Sequence, residues 1–263
     1  MPQALRVSGL TKAYGALVVT RDLGFEVAEG EALGIIGPNG AGKTTLFNLV
    51  AGTVRPDAGT VEYFGHDVTG ASARRRCLAG ISRSFQVPQP FAGLTAFENA
   101  LVAAAFGRGL SEAAARPHAA RALELTGLAR RADALAGSLT LLDRKRLELA
   151  RSIATGPRLL MLDEIAGGLT NAECAELVAL IRQIRAEGVT ILWVEHVLHA
   201  LLAVIDRLVV VDFGQKIADG DPDAVMGSPE VASVYLGPDA DEEGGGISGT
   251  GETDIDARGD ARG

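Results

Sequence analysis

The sequence predicts an α/β fold in which a parallel sheet, covered on both faces by helices, is interrupted by a helical insertion. Three observations carry that prediction. Short apolar runs at 32–36, 159–162 and 189–194 are bounded by turn signals and alternate with helical patterns, as buried parallel strands do. The first run leads straight into Gly37-Pro38-Asn39-Gly40-Ala41-Gly42-Lys43-Thr44-Thr45, which satisfies G-x-x-x-x-G-K-[ST]. Between about 87 and 139 the apolar spacing turns helical and alanine becomes plentiful.

In chain order, 5–10 and 23–28 alternate as strands and give the N-terminal part a β-rich character. Residues 32–36 form the buried strand, and Leu46 to Val50 the first turns of a helix. Further strands are expected at 60–64 and 81–85, separated by a short basic helix whose Arg74-Arg75-Arg76 triplet reads as a solvated face. Helices follow at 97–106 and 111–125, then strands at 159–162 and 189–194 with helices at 172–186 and 197–203. The insertion thus spans about 88–150 of a body covering 1–237.

The glycine-rich segment sits between a strand and a helix, the context a phosphate-binding P-loop requires. Its glycines let backbone N–H groups turn around a phosphate chain, and the helix N-terminus adds its positive dipole end. Lys43 is placed to reach the β- and γ-phosphates of a nucleoside triphosphate, and the Thr44 hydroxyl to ligate Mg²⁺. The apolar run 159–162 ends in Asp163-Glu164. Asp163 can hold Mg²⁺ directly or through water, and Glu164 can orient or deprotonate an attacking water. His196 follows another strand at the end where ligands gather in α/β sheets, and can donate to a γ-phosphate. Gln86 follows the 81–85 strand and can ligate Mg²⁺ through its carbonyl or position water.

Composition bounds the remainder. The chain has 263 residues, 47% of them hydrophobic, so a sizeable core is available. Cys77 and Cys174 lie far apart without metal-ligand spacing and read as buried free thiols. The first ten residues lack a secretory pattern, and no apolar run reaches the 18 residues a membrane span needs. Net charge is −8, and residues 238–263 hold eight acids against Arg258 and Arg262, so most of the charge lies there. That Gly-, Ser- and Thr-rich tail cannot offset its ordering entropy and reads as disordered, serving solubility or a regulatory contact. Nothing resembles a basic nucleic-acid surface, so no nucleic-acid partner is expected.

Together these motifs resemble the ATPase subunit of an ABC transporter, over roughly residues 5–236. The resemblance implies an ATP half-site, with Mg²⁺, that closes head-to-tail against a second ATPase subunit. It matches Gly37 to Thr45 to the Walker A loop, Leu159 to Glu164 to Walker B, Gln86 to the Q-loop, His196 to the switch histidine and Tyr14 to an adenine-stacking aromatic. Thr45-Leu46-Phe47-Asn48, Gly80-Ile81-Ser82-Arg83-Ser84-Phe85-Gln86 and Leu94-Thr95-Ala96-Phe97-Glu98-Asn99 resemble the branched-chain amino-acid importer subfamily, with its urea and amide relatives. So do Asp163-Glu164-Ile165-Ala166-Gly167-Gly168-Leu169, Ala218-Asp219-Gly220-Asp221-Pro222 and Tyr235-Leu236-Gly237. A peripheral place on the cytoplasmic side of the cell membrane is implied, with permease contact near Val87 to Phe91 and Phe97.

The chain departs from the family at the signature loop, usually L-S-G-G-Q. Here it reads Leu139-Thr140-Leu141-Leu142-Asp143, followed by an intact basic and apolar helix. Leu141 and Leu142 add bulk where backbone N–H groups approach the partner's γ-phosphate, and Asp143 is expected to set a negative charge beside that anion. Thr140-x-x-Asp143 also resembles a capping box, and the Thr140 hydroxyl can replace that of serine. The reading that follows is a subunit that hydrolyses ATP on its own motifs beside a different chain with an intact signature. Thr170 stands where many relatives have Asp or Asn, and reads as a helix cap. A soluble, non-transport ABC ATPase acting as a regulator or clamp is the second class. A GTPase would carry N-K-x-D, which this chain lacks.

Overall fold

In the computed structural model, residues 2–231 are described. The expected acidic tail and the Tyr235-Leu236-Gly237 ending lie outside the described residues. The chain opens with strands β1 (Gln3–Tyr14), β2 (Leu17–Ala28) and β3 (Ala32–Ile36), then helix α1 (Lys43–Ala51), β4 (Ala58–Tyr63) and β5 (His66–Asp67). It continues through α2 (Ala73–Ala79), β6 (Ile81–Arg83), α3 (Ala96–Arg108), α4 (Glu112–Leu125) and α5 (Leu141–Ala154). The last stretch is β7 (Leu159–Asp163), α6 (Asn171–Ala186), β8 (Thr190–Val194), α7 (Leu198–Leu202), β9 (Arg207–Asp212), β10 (Gln215–Gly220) and α8 (Pro222–Met226).

The central sheet has the order β10-β9-β3-β8-β7-β6, parallel except for the antiparallel edge strand β10. A second, antiparallel sheet of order β2-β1-β4-β5 lies against it. Successive strand residues face opposite sides, and this divides the core. Leu160, Leu162, Ile191, Trp193, Leu208 and Val210 pack with Leu177, Ile181 and Ile184 of α6. Leu159, Met161, Leu192, Val194, Val209 and Val211 pack on the other side with Leu46, Phe47, Leu49 and Val50 of α1 and the apolar face of β1. Burial on both faces explains why β3, β7 and β8 read as unbroken apolar runs.

Helices α3, α4 and α5 form a lobe inserted between β6 and β7, with its own core of Ala96, Ala100, Ala104, Ala115, Ala119 and Leu147. Small side chains let these helices approach closely. Thr95 caps α3 in a full capping box with Glu98, and Ser111 caps α4.

Several expectations change. β1 and β2 are longer than the alternating pattern suggested, because bulges near Gly9 (φ 62) break the two-residue period. The hairpin β9–β10 was not anticipated. The Arg74–Arg76 triplet is not a uniformly solvated face, since Arg76 is only 1% exposed. Its guanidinium donates to Leu49 O and Val50 O (both 2.7 Å), Thr69 O (2.9 Å) and Ala71 O (3.2 Å). It thereby satisfies the last carbonyls of α1 with a positive charge at the negative dipole end. Cys174 is buried as expected, whereas Cys77 is only half-buried, and both are free thiols.

Candidate functional site

The loop 37–42 runs from the end of β3 into α1. Gly42 is the N-cap of α1 in the left-handed region (φ 98), and no side chain caps the helix. A Cβ there would lie 2.6 Å from Val19 O, and one at Gly37 would lie 2.0 Å from Val211 O. Only glycine allows the loop to pack this closely against β2 and β9. The loop encloses a cavity of about 200 Å³ lined by Val19, Asn39, Gly40, Ala41, Gly42, Lys43, Thr44, Thr45 and Glu164. Lys43 is 8% exposed, and its ammonium donates to Gly37 O at 2.6 Å and Pro38 O at 2.9 Å. Burial pushes its pKa below the ordinary lysine value, while Glu164 and then Asp163 pull it back up.

Asp163 ends β7 and Glu164 follows it with φ 46, its N–H donating to Val194 O at 2.8 Å. A non-glycine residue held in the left-handed region costs about 1–3 kcal/mol, and such strain concentrates at functional sites. Two side chains converge on Glu164. Gln86 Nε2 donates to its Oε2 at 2.5 Å, His196 Nδ1 lies 3.6 Å from that oxygen, and the carboxylate borders the P-loop cavity. His196 packs against Gly167, where a Cβ would come within 3.2 Å of the ring Cε1. The structure therefore gathers Lys43, Thr44, Gln86, Asp163, Glu164 and His196 on one side of the sheet, at the C-terminal ends of β3, β6, β7 and β8.

Arg83 belongs to this cluster and was not singled out from the sequence beyond its place in a motif. Its guanidinium donates to Asp163 Oδ2 at 2.5 Å and to Asn48 Oδ1 at 2.6 Å. It sits between the rings of Phe47 (5.6 Å) and Phe85 (5.4 Å). Ser84 adds a backbone tie, its hydroxyl accepting from Asp163 N at 3.3 Å. The end of β6 and the residues after it thus hold both acids.

These residues fit a magnesium nucleotide. Among the described residues no group of three His, Cys, Asp or Glu side chains converges as a metal cage. Mg²⁺ needs none, because it binds through one or two carboxylates, waters and substrate phosphates. Thr44 supplies a hydroxyl and Asp163 a carboxylate whose other oxygen is taken by Arg83. With the Gln86 amide nitrogen on Glu164, its carbonyl remains as the acceptor.

The signature segment carries a correction. Thr140 caps α5 and accepts from Asp143 N at 3.3 Å, which is half of the expected capping box. The other half differs. Asp143, one methylene shorter than Glu, accepts from the Thr140 hydroxyl at 3.0 Å rather than from the Thr140 amide. Nor does Asp143 present a bare charge beside an anion. It is 7% exposed and held by Arg131 (2.6 Å) and Arg146 (3.6 Å). Leu139 and Leu142 are buried, whereas Leu141 projects, 47% exposed. Thr170 does cap α6, in a complete box with Glu173. Tyr14 ends β1, half-exposed, with Lys12 Nζ 5.6 Å above its ring.

A family model described as "ABC transporter" matches residues 20–167. The chain is 38% identical over 248 residues to the high-affinity branched-chain amino acid transport ATP-binding protein BraF of Pseudomonas aeruginosa, covering 89% of this chain and 97% of that protein. It is 36% identical over 250 residues to LivG of Escherichia coli K12, of the same description, with the same coverage of 89% and 97%. Among solved structures it resembles a nucleotide-free ATP-binding cassette from an ABC transporter, with a TM-score of 0.82 and 29% identity over 89% of this chain and 99% of that one. The parallel core, the P-loop, the acids after β7 and these likenesses agree: the chain belongs to the ABC transporter family as an ATP-binding cassette.

Proposed function

We propose that this chain is the ATP-hydrolysing subunit of an importer of branched-chain amino acids or related small polar solutes, acting at the cytoplasmic face of the cell membrane. The observation that carries the enzymatic reading is the convergence of Gln86 and His196 on Glu164 at the rim of the P-loop cavity. The solute class is supported by likeness to the branched-chain amino acid transport proteins over nearly the whole described chain.

In this reading the backbone of Gly37, Pro38, Asn39, Gly40, Ala41 and Gly42 wraps the phosphates, and Tyr14 stacks on adenine. Lys43 turns from the Gly37 and Pro38 carbonyls to the β- and γ-phosphates. Thr44, Asp163 and Gln86 hold Mg²⁺, which neutralises charge on the transferring phosphoryl group. Thr45 lines the same pocket. Glu164 orients and polarises the attacking water, and His196 donates to the γ-phosphate. The segment Leu139-Thr140-Leu141-Leu142-Asp143 faces the nucleotide of a second ATPase subunit, a different chain whose intact signature completes this chain's own site.

Among the described residues no helix is long and apolar enough to cross a membrane, so movement of solute needs permease subunits. Their contact is assigned to Val87, Phe91 and Phe97. Val87 and Phe91 are exposed and apolar, and Phe91 lies beside Arg151 at the lobe's junction with the core.

The test is the complete transporter in proteoliposomes. MgATP on the face carrying this subunit drives uptake of radiolabelled leucine, and Lys43→Met removes ATP binding and uptake together. Uptake that survives Lys43→Met, or ATP hydrolysis that moves no branched-chain amino acid, contradicts the assignment.

A further inference from the structure

Glu195 directly follows β8, and its side chain is completely enclosed. Its Oε2 accepts from Ala166 N at 2.9 Å, two residues beyond Glu164. Its Oε1 accepts from His196 N at 2.9 Å and Val197 N at 3.2 Å. His196 Nδ1 lies 3.3 Å from the same Oε1. Both oxygens therefore accept from backbone N–H groups. Lys145 of α5, 4% exposed, supplies a nearby positive charge: burial lowers its pKa and Glu195 raises it.

A carboxylate in this position costs several kcal/mol unless it is paired and hydrogen-bonded. An apolar residue would leave the N–H groups of Ala166, His196 and Val197 without an acceptor, so the glutamate's reason lies beyond packing. Its contacts supply one. They join the loop that follows Glu164 to the loop that carries His196, and Lys145 places the helix behind the signature segment against that junction. The Nδ1 atom of His196 also faces two carboxylate oxygens, of Glu195 at 3.3 Å and Glu164 at 3.6 Å. A bare Nδ1 lone pair would repel both, so the proton belongs on Nδ1.

We propose that Glu195 is a positioning residue that fixes the ring and proton placement of His196 and clamps it to the segment carrying Glu164. Its consequence for turnover rests on the ATPase reading above; its geometry does not. Glutamine is the informative substitute. It keeps the shape but offers one acceptor oxygen, so its NH₂ must confront either Ala166 N–H or the His196 and Val197 N–H groups.

The test is ¹⁵N NMR of the imidazoles in the full chain, with His196→Gln identifying the signal. The expected wild-type spectrum shows His196 protonated at Nδ1, and Glu195→Gln shifts it towards mixed protonation. Turnover then falls about 10²-fold, the scale of a displaced catalytic group, with the KM for ATP little changed. A wild-type His196 with a bare Nδ1 overturns the proposal whether or not any variant folds. So does a folded Glu195→Gln chain with unchanged His196 signals and unchanged turnover. A wild-type Nδ1 proton that Glu195→Gln perturbs, in a chain that never binds ATP, supports the clamp and overturns the ATPase reading instead.

Discussion

Arg83 donates to Asp163 at 2.5 Å and to Asn48 at 2.6 Å, so one guanidinium joins the acid of β7 to the helix that begins in the P-loop. Both members of the ion pair are about nine-tenths buried. Removing the cation alone strands a buried carboxylate. Arg83→Met is therefore expected to cost about 3 kcal/mol of stability. The double variant Arg83→Met/Asp163→Asn should lose at least about 1 kcal/mol less than the sum of the singles. Urea denaturation of the four chains measures the coupling, and additive losses would show that the pair contributes nothing specific.

Glu164 occupies the left-handed backbone region at φ 46. At an ordinary site alanine is more stable than glycine. Here the order should reverse, with Glu164→Gly more stable than Glu164→Ala by about 1 kcal/mol, because only alanine retains the Cβ clash. Both variants lack the carboxylate, so the comparison isolates the backbone. Thermal unfolding in which alanine equals or exceeds glycine would remove strain from the description of this site.

Asp143 is held by Arg131, Arg146 and the Thr140 hydroxyl. Its role in the signature segment is then structural, anchoring the start of α5 to the lobe. Asp143→Ala should cost about 2 kcal/mol, in the range of hydrogen bonds to charged groups. Arg131 is half-exposed, and Arg131→Ala should cost under about 1 kcal/mol. Equal and negligible losses by chemical denaturation would return Asp143 to the role first expected of it, a negative charge set beside the partner's γ-phosphate.

Glu148 lies buried on α5 beside Arg151, at 2.9 Å. Burial pushes its carboxyl above the ordinary 4.5, and Arg151 only partly offsets this. The folded chain thus holds this proton more tightly than the unfolded chain. The stability it confers is complete below pH 4.5 and is lost as pH rises through the raised value. Glu148→Gln does not titrate, so its stability relative to the native chain should increase from pH 4.5 towards neutrality. Urea midpoints of both chains across that range decide it; a flat or falling difference would contradict the sign.

Much of this site was legible because its signals are local. The P-loop is a contiguous run between a strand and a helix, and Asp163-Glu164 and His196 each follow an apolar run directly. The central strands could be read because burial on two faces leaves no polar interruption. What stayed hidden depends on distant partners. Arg76 caps a helix that ends 25 residues earlier, and Arg83 meets an acid 80 residues away. Asp143 read as a charge beside the partner's phosphate because its pairing with Arg131, 12 residues back, is not local. Glu195 stood beside His196 in plain sight, yet its value lies in Ala166 N, 29 residues distant. The β9 strand, with Arg207 and Asp212 at its ends, could not be told by periodicity from a short helix.

The central claim is that this chain hydrolyses ATP with its own Glu164 while a different subunit supplies the intact signature. The direct measurement is steady-state ATPase activity of the mixed pair within the transporter, with Glu164→Gln in this chain or the matching substitution in its partner. The account predicts that Glu164→Gln lowers turnover at least about 10²-fold while ATP remains bound. Turnover untouched by Glu164→Gln, but abolished by the partner's substitution, would contradict it.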